Sequence, residues 1–370
     1  NKEKLSSEYV VKVVKRDRSQ LGSEELTAFD RLFTKYNLDS ESFIQYQAAV
    51  DKMRKSVGFK RFSLQRKGVD GYLGSAGMYP NSLQDWIDAP TKTRGVLGQL
   101  IQLKKAQTTK GKELNLVASV GGWTLGQHFP AIASNSNFRT AFGLACLDFL
   151  EVTGFEGIDI DWEFPVYGGT DGTETIDGNL IPAQPHIEDE PIHFLDLMKS
   201  IRDAIGDNYE LSIACAQNPT RILEQYVWPG QMDAFKRTDN ILDYLDYVNT
   251  MTYDYGGYWS THTTHNAPLY PNAADPDASG SVSELIDILL ASDGGNVPAE
   301  RMVMGLGYYG RAWKDITPGP NGDGLFQVNP QSGRLEGSWD VNVLPSEAAT
   351  VYDFADLKFG KALNLHYYIN

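Results

Sequence analysis

The sequence predicts an α/β fold built on parallel strands, with a (β/α)8 TIM barrel ahead of an open doubly wound sheet. Three observations predict it. From about residue 95, short apolar runs alternate with amphipathic helical stretches, the pattern of repeated βαβ units. Each apolar run ends in polar or aromatic residues, where a barrel carries its functional groups. No G-x-G-x-x-G turn and no P-loop follows any run, so the mark of a nucleotide-binding doubly wound sheet is missing.

The elements follow in chain order. Residues 1–75 read as a helical N-terminal region: "SEELTAFDRLFTKYNL" opens on the cap residue Ser23 and spaces Leu26, Phe29, Leu32, Phe33 and Tyr36 at helical intervals. Residues 76–312 hold the barrel. Its recognisable strands are 114–122, 157–164, 209–217, 245–254 and 301–310, with helices predicted at 137–154, 191–205 and 281–292. The segment 68–90 reads as the loop after an earlier strand. Residues 313–370 form the last segment.

Composition narrows the function. A chain of 370 residues with 41% hydrophobic content is globular. No apolar run reaches the ~18 residues of a membrane span. A formal net charge of −15 argues against a phosphate-tracking nucleic-acid binder and suits a neutral or cationic partner. The two cysteines, Cys146 and Cys215, have apolar neighbours and read as buried free thiols. They form no zinc pattern, and the reading calls for neither metal nor cofactor. No signal peptide is visible at "NKEKLSSEYV", which leaves the compartment open.

The run "FEGIDIDWEFP" carries the chemistry. Residues at i, i+2 and i+4 of a strand share a face, so Asp159, Asp161 and Glu163 line one side and Ile158, Ile160 and Trp162 the other. The apolar set belongs under the helices. The acids then point inward and climb toward the catalytic mouth, with Glu163 highest. Carboxylates stacked this closely cannot all ionise at their ordinary pKa, so at least one is expected to be raised. Two chemistries use such acids: an Mg²⁺ site for phosphoryl transfer, and glycoside cleavage with a carboxylic acid protonating the leaving oxygen. The remaining strand ends supply Trp123, Tyr253, Tyr255, Tyr258, Trp259, Tyr308, Tyr309 and Trp313, with Arg311 among few cations. A phosphate site wants Lys and Arg; a sugar site wants flat aromatic faces. Glycoside cleavage fits better.

These residues resemble glycoside hydrolase family 18, the chitinases. "GIDIDWEFP" resembles the signature D-G-x-D-x-D-x-E, "ASVGGW" the S-x-G-G strand, "MTYDYGGYW" the M-x-Y-D motif and "GLGYYGRAW" the Y-G-R motif. "EGSWDVNVL" resembles the opening of an α+β insertion domain. The motifs stand in the family's order between about Gly95 and Leu344.

The resemblance implies a secreted chitinase that cleaves β-1,4 bonds of chitin or N-acetylglucosamine oligosaccharides. It implies a retaining mechanism in which the substrate's own acetamide forms an oxazolinium ion. Glu163 would be the general acid/base. Asp161 would hold the 2-acetamido group and Asp159 would share a proton with Asp161. Tyr253 would hydrogen-bond the acetamido carbonyl, with Met251 and Asp254 beside it. Tyr309 and Arg311 would contact sugar, Trp123 and Trp259 would stack on sugar rings, and Ser119, Gly121 and Gly122 would support the catalytic strand. Two other activities fit the family: an endo-β-N-acetylglucosaminidase, and a chitin-binding or targeting subunit of a toxin-like assembly.

The sequence departs from the pattern in places. Glu156 stands for the first Asp of the signature, where a structural effect is expected. Gly307 and Tyr308 replace Pro or Ala and Phe, with an altered pocket shape expected. The long polar loop after Pro165 is expected to wall the cleft. Only strands three to seven of the eight are recognisable, so a partner chain or other segments are expected to complete the barrel.

Overall fold

The computed structural model describes residues 95–354 apart from 177–178, 278, 332 and 339–349, together with residue 357. The predicted helical region 1–75, the segment 68–90 and much of 313–370 beyond residue 338 lie outside the described residues. In chain order the elements are α1 (Gly95–Thr109), β1 (Val117–Gly121), α2 (Phe129–Ser134), α3 (Ser136–Thr153), β2 (Gly157–Asp161), β3 (Thr175–Ile176), β4 (Asn179–Leu180) and α4 (Glu190–Ile205). They continue as β5 (Glu210–Cys215), α5 (Ile222–Gln225), β6 (Tyr247–Thr250), α6 (Val282–Leu290), β7 (Met302–Met304), β8 (Tyr309–Arg311) and β9 (Val351–Asp353).

Five strands form one sheet in the order β1-β2-β5-β6-β7. β1 runs parallel to β2, and β6 parallel to β7. These are the five strands predicted. Their order advances in one direction without reversal, whereas a doubly wound sheet reverses partway. The long predicted helices are present as α3, α4 and α6. Asn135 starts α3 by accepting from the backbone N–H groups of Asn137 and Phe138, and Gly154 ends it at φ 72°, a left-handed stop that suits glycine. Ser281 caps α6 through the N–H of Glu284.

The chain divides into two compact units: residues 1–162 with 183–212, and residues 163–182 with 213–370. In the first, α2 and α3 pack against α4. Ile158, Ile160 and Trp162 are fully buried. Trp162 stacks on Phe129 of α2 (5.7 Å between centroids, 20° between planes) and meets Phe194 of α4 edge-on at 5.5 Å. The apolar set thus faces the helices, as the alternation predicts. Burying each such side chain contributes about 1.5–3 kcal/mol.

Glu156 has the structural place expected of it. Its Oε2 accepts the N–H of Leu116 at 2.7 Å, its carbonyl accepts the N–H of Glu210 at 2.8 Å, and its carboxylate pairs with Lys104 of α1. It ties the entry of β2 to both neighbouring strands.

In the second unit, the N–H of Met251 donates to the carbonyl of Cys215 at 3.1 Å, which continues the ladder from β5 to the end of β6. The run 301–310, predicted as one strand, is two. β7 ends at Met304, and Tyr309–Arg311 pairs antiparallel with Val351–Asp353. Gly305 marks the break. Its N–H donates to Thr250 O at 2.8 Å, and a Cβ there would lie 2.6 Å from that oxygen. Cys146 and Cys215 are buried free thiols.

Candidate active site

In the first unit, β2 carries Asp159 and Asp161, with β1 paired beside it. The register places Ser119 opposite Asp159 and Gly121 opposite Asp161. Gly121 has φ +124°, and a Cβ on it would lie 2.1 Å from the carbonyl oxygen of Asp161. The next N–H, that of Gly122, donates to the same oxygen at 2.7 Å. The two glycines let β1 close onto the end of β2, which is the physical reason for the "GG" pair.

Asp159 is 9% exposed. Its Oδ1 accepts from the Ser212 hydroxyl at 2.6 Å. Asp161 is half-buried, and its Oδ1 finds no hydrogen-bond donor among the described residues. Burial, helped by the neighbouring charge of Asp159, pushes its carboxyl up to about 6. The raised acid that the stacked carboxylates predict is therefore Asp161. Trp123, two residues past β1, is 41% exposed.

In the second unit, Glu163 is half-buried just past the end of β2, and its peptide bond to Phe164 is cis. The segment after it is anchored. Gln225 Nε2 donates to Pro165 O at 3.2 Å, and the Arg221 guanidinium lies 3.9 Å over the Tyr167 ring. The loop continues into the β3–β4 hairpin, and Thr170 Oγ1 closes its base on Pro182 O at 2.8 Å.

The same unit gathers most of the other predicted residues. Tyr253 and Tyr309 meet edge-to-face at 5.9 Å. Arg311 Nε donates to Asp254 Oδ1 at 2.7 Å, and its guanidinium lies 4.8 Å from the Trp259 ring centre and 5.6 Å from that of Tyr309. The Tyr309 phenol is pushed well above its ordinary pKa, first by burial and then by the charge of Asp254, to which it is hydrogen-bonded. Trp259 is 48% exposed. A flat indole steadied by a guanidinium suits a sugar ring. Met251 is half-buried at the end of the β6 ladder.

Not every predicted aromatic joins this group. Tyr255 is buried in the core. Tyr308 is 71% exposed and meets Phe354 edge-on at 6.3 Å. Tyr258 lies under the Arg334 guanidinium at 3.8 Å. A cleft of about 1130 Å³ is lined by Asn266, Tyr309, Arg311 and Trp313 among others, but not by Glu163 or Tyr253.

Comparison with known proteins identifies the family. The model of the family described as glycosyl hydrolases family 18 matches residues 43–368. The chain belongs to glycoside hydrolase family 18.

Chitinase ChiA of Flavobacterium johnsoniae is 33% identical over 299 residues, which cover 76% of this chain and 18% of that protein. Chitinase 1 of Aphanocladium album is 32% identical over 297 residues, 78% of this chain and 62% of the relative. Among solved structures, chitinase ChiA74 from Bacillus thuringiensis superposes with a TM-score of 0.56 at 29% identity, covering 71% of this chain and 39% of that one. The family 18 chain thus spans from less than a fifth to about three fifths of the length of these two curated relatives.

Three residues at the site escaped the sequence reading. Ser212 interrupts the apolar run of β5, and that interruption was the available signal. Gln217 donates to Asp254 O at 3.0 Å. Asn266 accepts the N–H of Asp254 at 3.2 Å; it lies in a loop, where no periodicity marks it.

Proposed function

We propose that this family 18 chain is a chitinase. It hydrolyses β-1,4 bonds of N-acetylglucosamine polymers outside the cell, on a (β/α)8 barrel of which the five-stranded sheet is part. Glu163 acts as general acid/base, and the substrate's acetamide oxygen attacks C1 to form an oxazolinium ion with retention of configuration. Asp161 accepts the acetamide N–H and stabilises the positive charge that develops there, with Asp159 as its proton-sharing neighbour. Tyr253 donates to the acetamide carbonyl, with Met251 and Asp254 beside it. Trp123 and Trp259 stack on sugar rings, and Tyr309 and Arg311 contact sugar.

One observation carries this reading. Asp161 Oδ1 is buried and has no donor among the described residues. An acceptor taken out of water without a partner is costly, and a substrate N–H would satisfy it. The exposed indoles of Trp123 and Trp259 support a sugar polymer as ligand.

The test is hydrolysis of 4-nitrophenyl N,N′-diacetylchitobioside by the protein and by Glu163→Gln. The protein should release nitrophenol, and the variant should lose at least about 10³-fold in rate. Equal rates would remove Glu163 from its role.

A further inference from the structure

Asp254 has a backbone that non-glycine residues rarely adopt. Its φ is +61°, in the left-handed region. Bonds hold it on every side. Its N–H donates to Asn266 Oδ1 at 3.2 Å, its carbonyl accepts from Gln217 Nε2 at 3.0 Å, and its Oδ1 accepts from Arg311 Nε at 2.7 Å. Its carboxylate also bonds the Tyr309 phenol.

Asn266 joins two segments that are otherwise distant in sequence. Its Oδ1 takes the Asp254 N–H, and its own carbonyl accepts the N–H of Tyr255 at 3.0 Å. Its Nδ2 donates to Tyr309 O in β8 at 3.3 Å. One residue therefore ties the turn after β6 to the strand that carries Tyr309 and Arg311. The space around it is tight: a Cβ added at Gly307 would lie 3.4 Å from Asn266 Nδ2 and 3.3 Å from the Tyr309 ring.

We propose that Asn266 is a positioning residue for sugar binding. It holds Asp254 in its left-handed turn, so that the carboxylate fixes Tyr309 and Arg311, and Arg311 in turn steadies Trp259. This rests on the reading of Tyr309, Arg311 and Trp259 as sugar contacts. These bonds are internal to the chain and need no ligand, which lowers the ordering cost of binding. Losing Asn266 should then weaken substrate binding and spare the chemical step.

The experiment is a double-mutant cycle on the full chain. Wild type, Asn266→Ala, Asp254→Asn and the double variant are assayed on 4-nitrophenyl N,N′-diacetylchitobioside. Asn266→Ala should raise KM about tenfold and change kcat less than about threefold. In the Asp254→Asn background the same substitution should add less than about a twofold effect, because it acts through Asp254. A loss confined to kcat, or additive losses in the cycle, would overturn the proposal. If circular dichroism shows Asn266→Ala unfolded, Asn266→Leu takes its place; it keeps the branched shape and removes both the acceptor of the Asp254 N–H and the donor to Tyr309.

Wild-type protein that releases no nitrophenol defeats the chitinase reading instead. The four proteins are then titrated calorimetrically with tri-N-acetylchitotriose. Binding about tenfold weaker for Asn266→Ala sustains the positioning role. Unchanged binding, or none by wild type, overturns it.

Discussion

The Ser212 hydroxyl donates to Asp159 Oδ1 across 2.6 Å, from β5 to β2, with both side chains buried. This bond satisfies a carboxylate that the fold has taken out of water. Ser212→Ala removes the donor and leaves the acceptor buried. A hydrogen bond to a charged group contributes about 1.5–3 kcal/mol, and the variant should lose about that much in urea unfolding. Wild-type stability in Ser212→Ala would mean that the bond contributes nothing net.

Gly121 and Gly122 should differ in their tolerance of a side chain. A Cβ at Gly121 meets the Asp161 carbonyl oxygen at 2.1 Å, whereas one at Gly122 meets only Asp161 Oδ2, at 3.7 Å. Both have positive φ, so both substitutions carry backbone strain. Only Gly121→Ala must also push β1 away from β2. It should cost about 2–4 kcal/mol, clearly more than Gly122→Ala, as read from thermal unfolding of the two variants side by side. The reverse ranking would contradict the register of β1 on β2.

Those two predictions concern residues of very different legibility. The faces of β2 were readable because strand period 2 separates Ile158, Ile160 and Trp162 from Asp159 and Asp161 with no other information. The "GG" pair was readable as a motif, but its reason, the close approach to Asp161 O, needed coordinates. The run 301–310 misled because apolar residues continue past Met304, where β7 ends, and pairing resumes only at Tyr309, with β9. Asn266 left no trace at all, since a loop residue that bridges segments 12 and 43 positions away follows no local rule. The family match reaches back to residue 43, well before the first motif at Ala118. Chemistry dictates residue identity only at the site; elsewhere many apolar sequences pack equally well.

Arg311→Lys tests whether the guanidinium's shape matters beyond its charge. Arg311 both donates to Asp254 and lies over Trp259 and Tyr309. Lysine keeps the charge but loses the planar group that stacks and the directed Nε donor. With these residues as sugar contacts, KM for the chitobioside should rise about five- to tenfold while the melting temperature moves by only a few degrees. Steady-state kinetics at one pH decides it, and a lysine variant with unchanged KM would reduce Arg311 to a simple counter-charge for Asp254.

The raised carboxyl of Asp161 makes a signed prediction about stability and pH. In the unfolded chain this group titrates at its ordinary value of 3.8, and burial in the folded protein pushes it up to about 6. Between those values the folded state binds more proton than the unfolded state, so stability falls as pH rises through the window. Below about pH 4 both states are protonated and above about pH 6 both are ionised, so the slope flattens on either side. Asp161→Asn, which cannot titrate, should lack this component. The difference in unfolding free energy between wild type and Asp161→Asn should move against wild type by on the order of 2–3 kcal/mol from pH 4 to pH 6. Urea unfolding of both proteins at half-unit intervals measures it. Parallel curves across that window would show that Asp161 titrates normally in the folded protein, and that its buried Oδ1 is solvated in a way the geometry does not suggest.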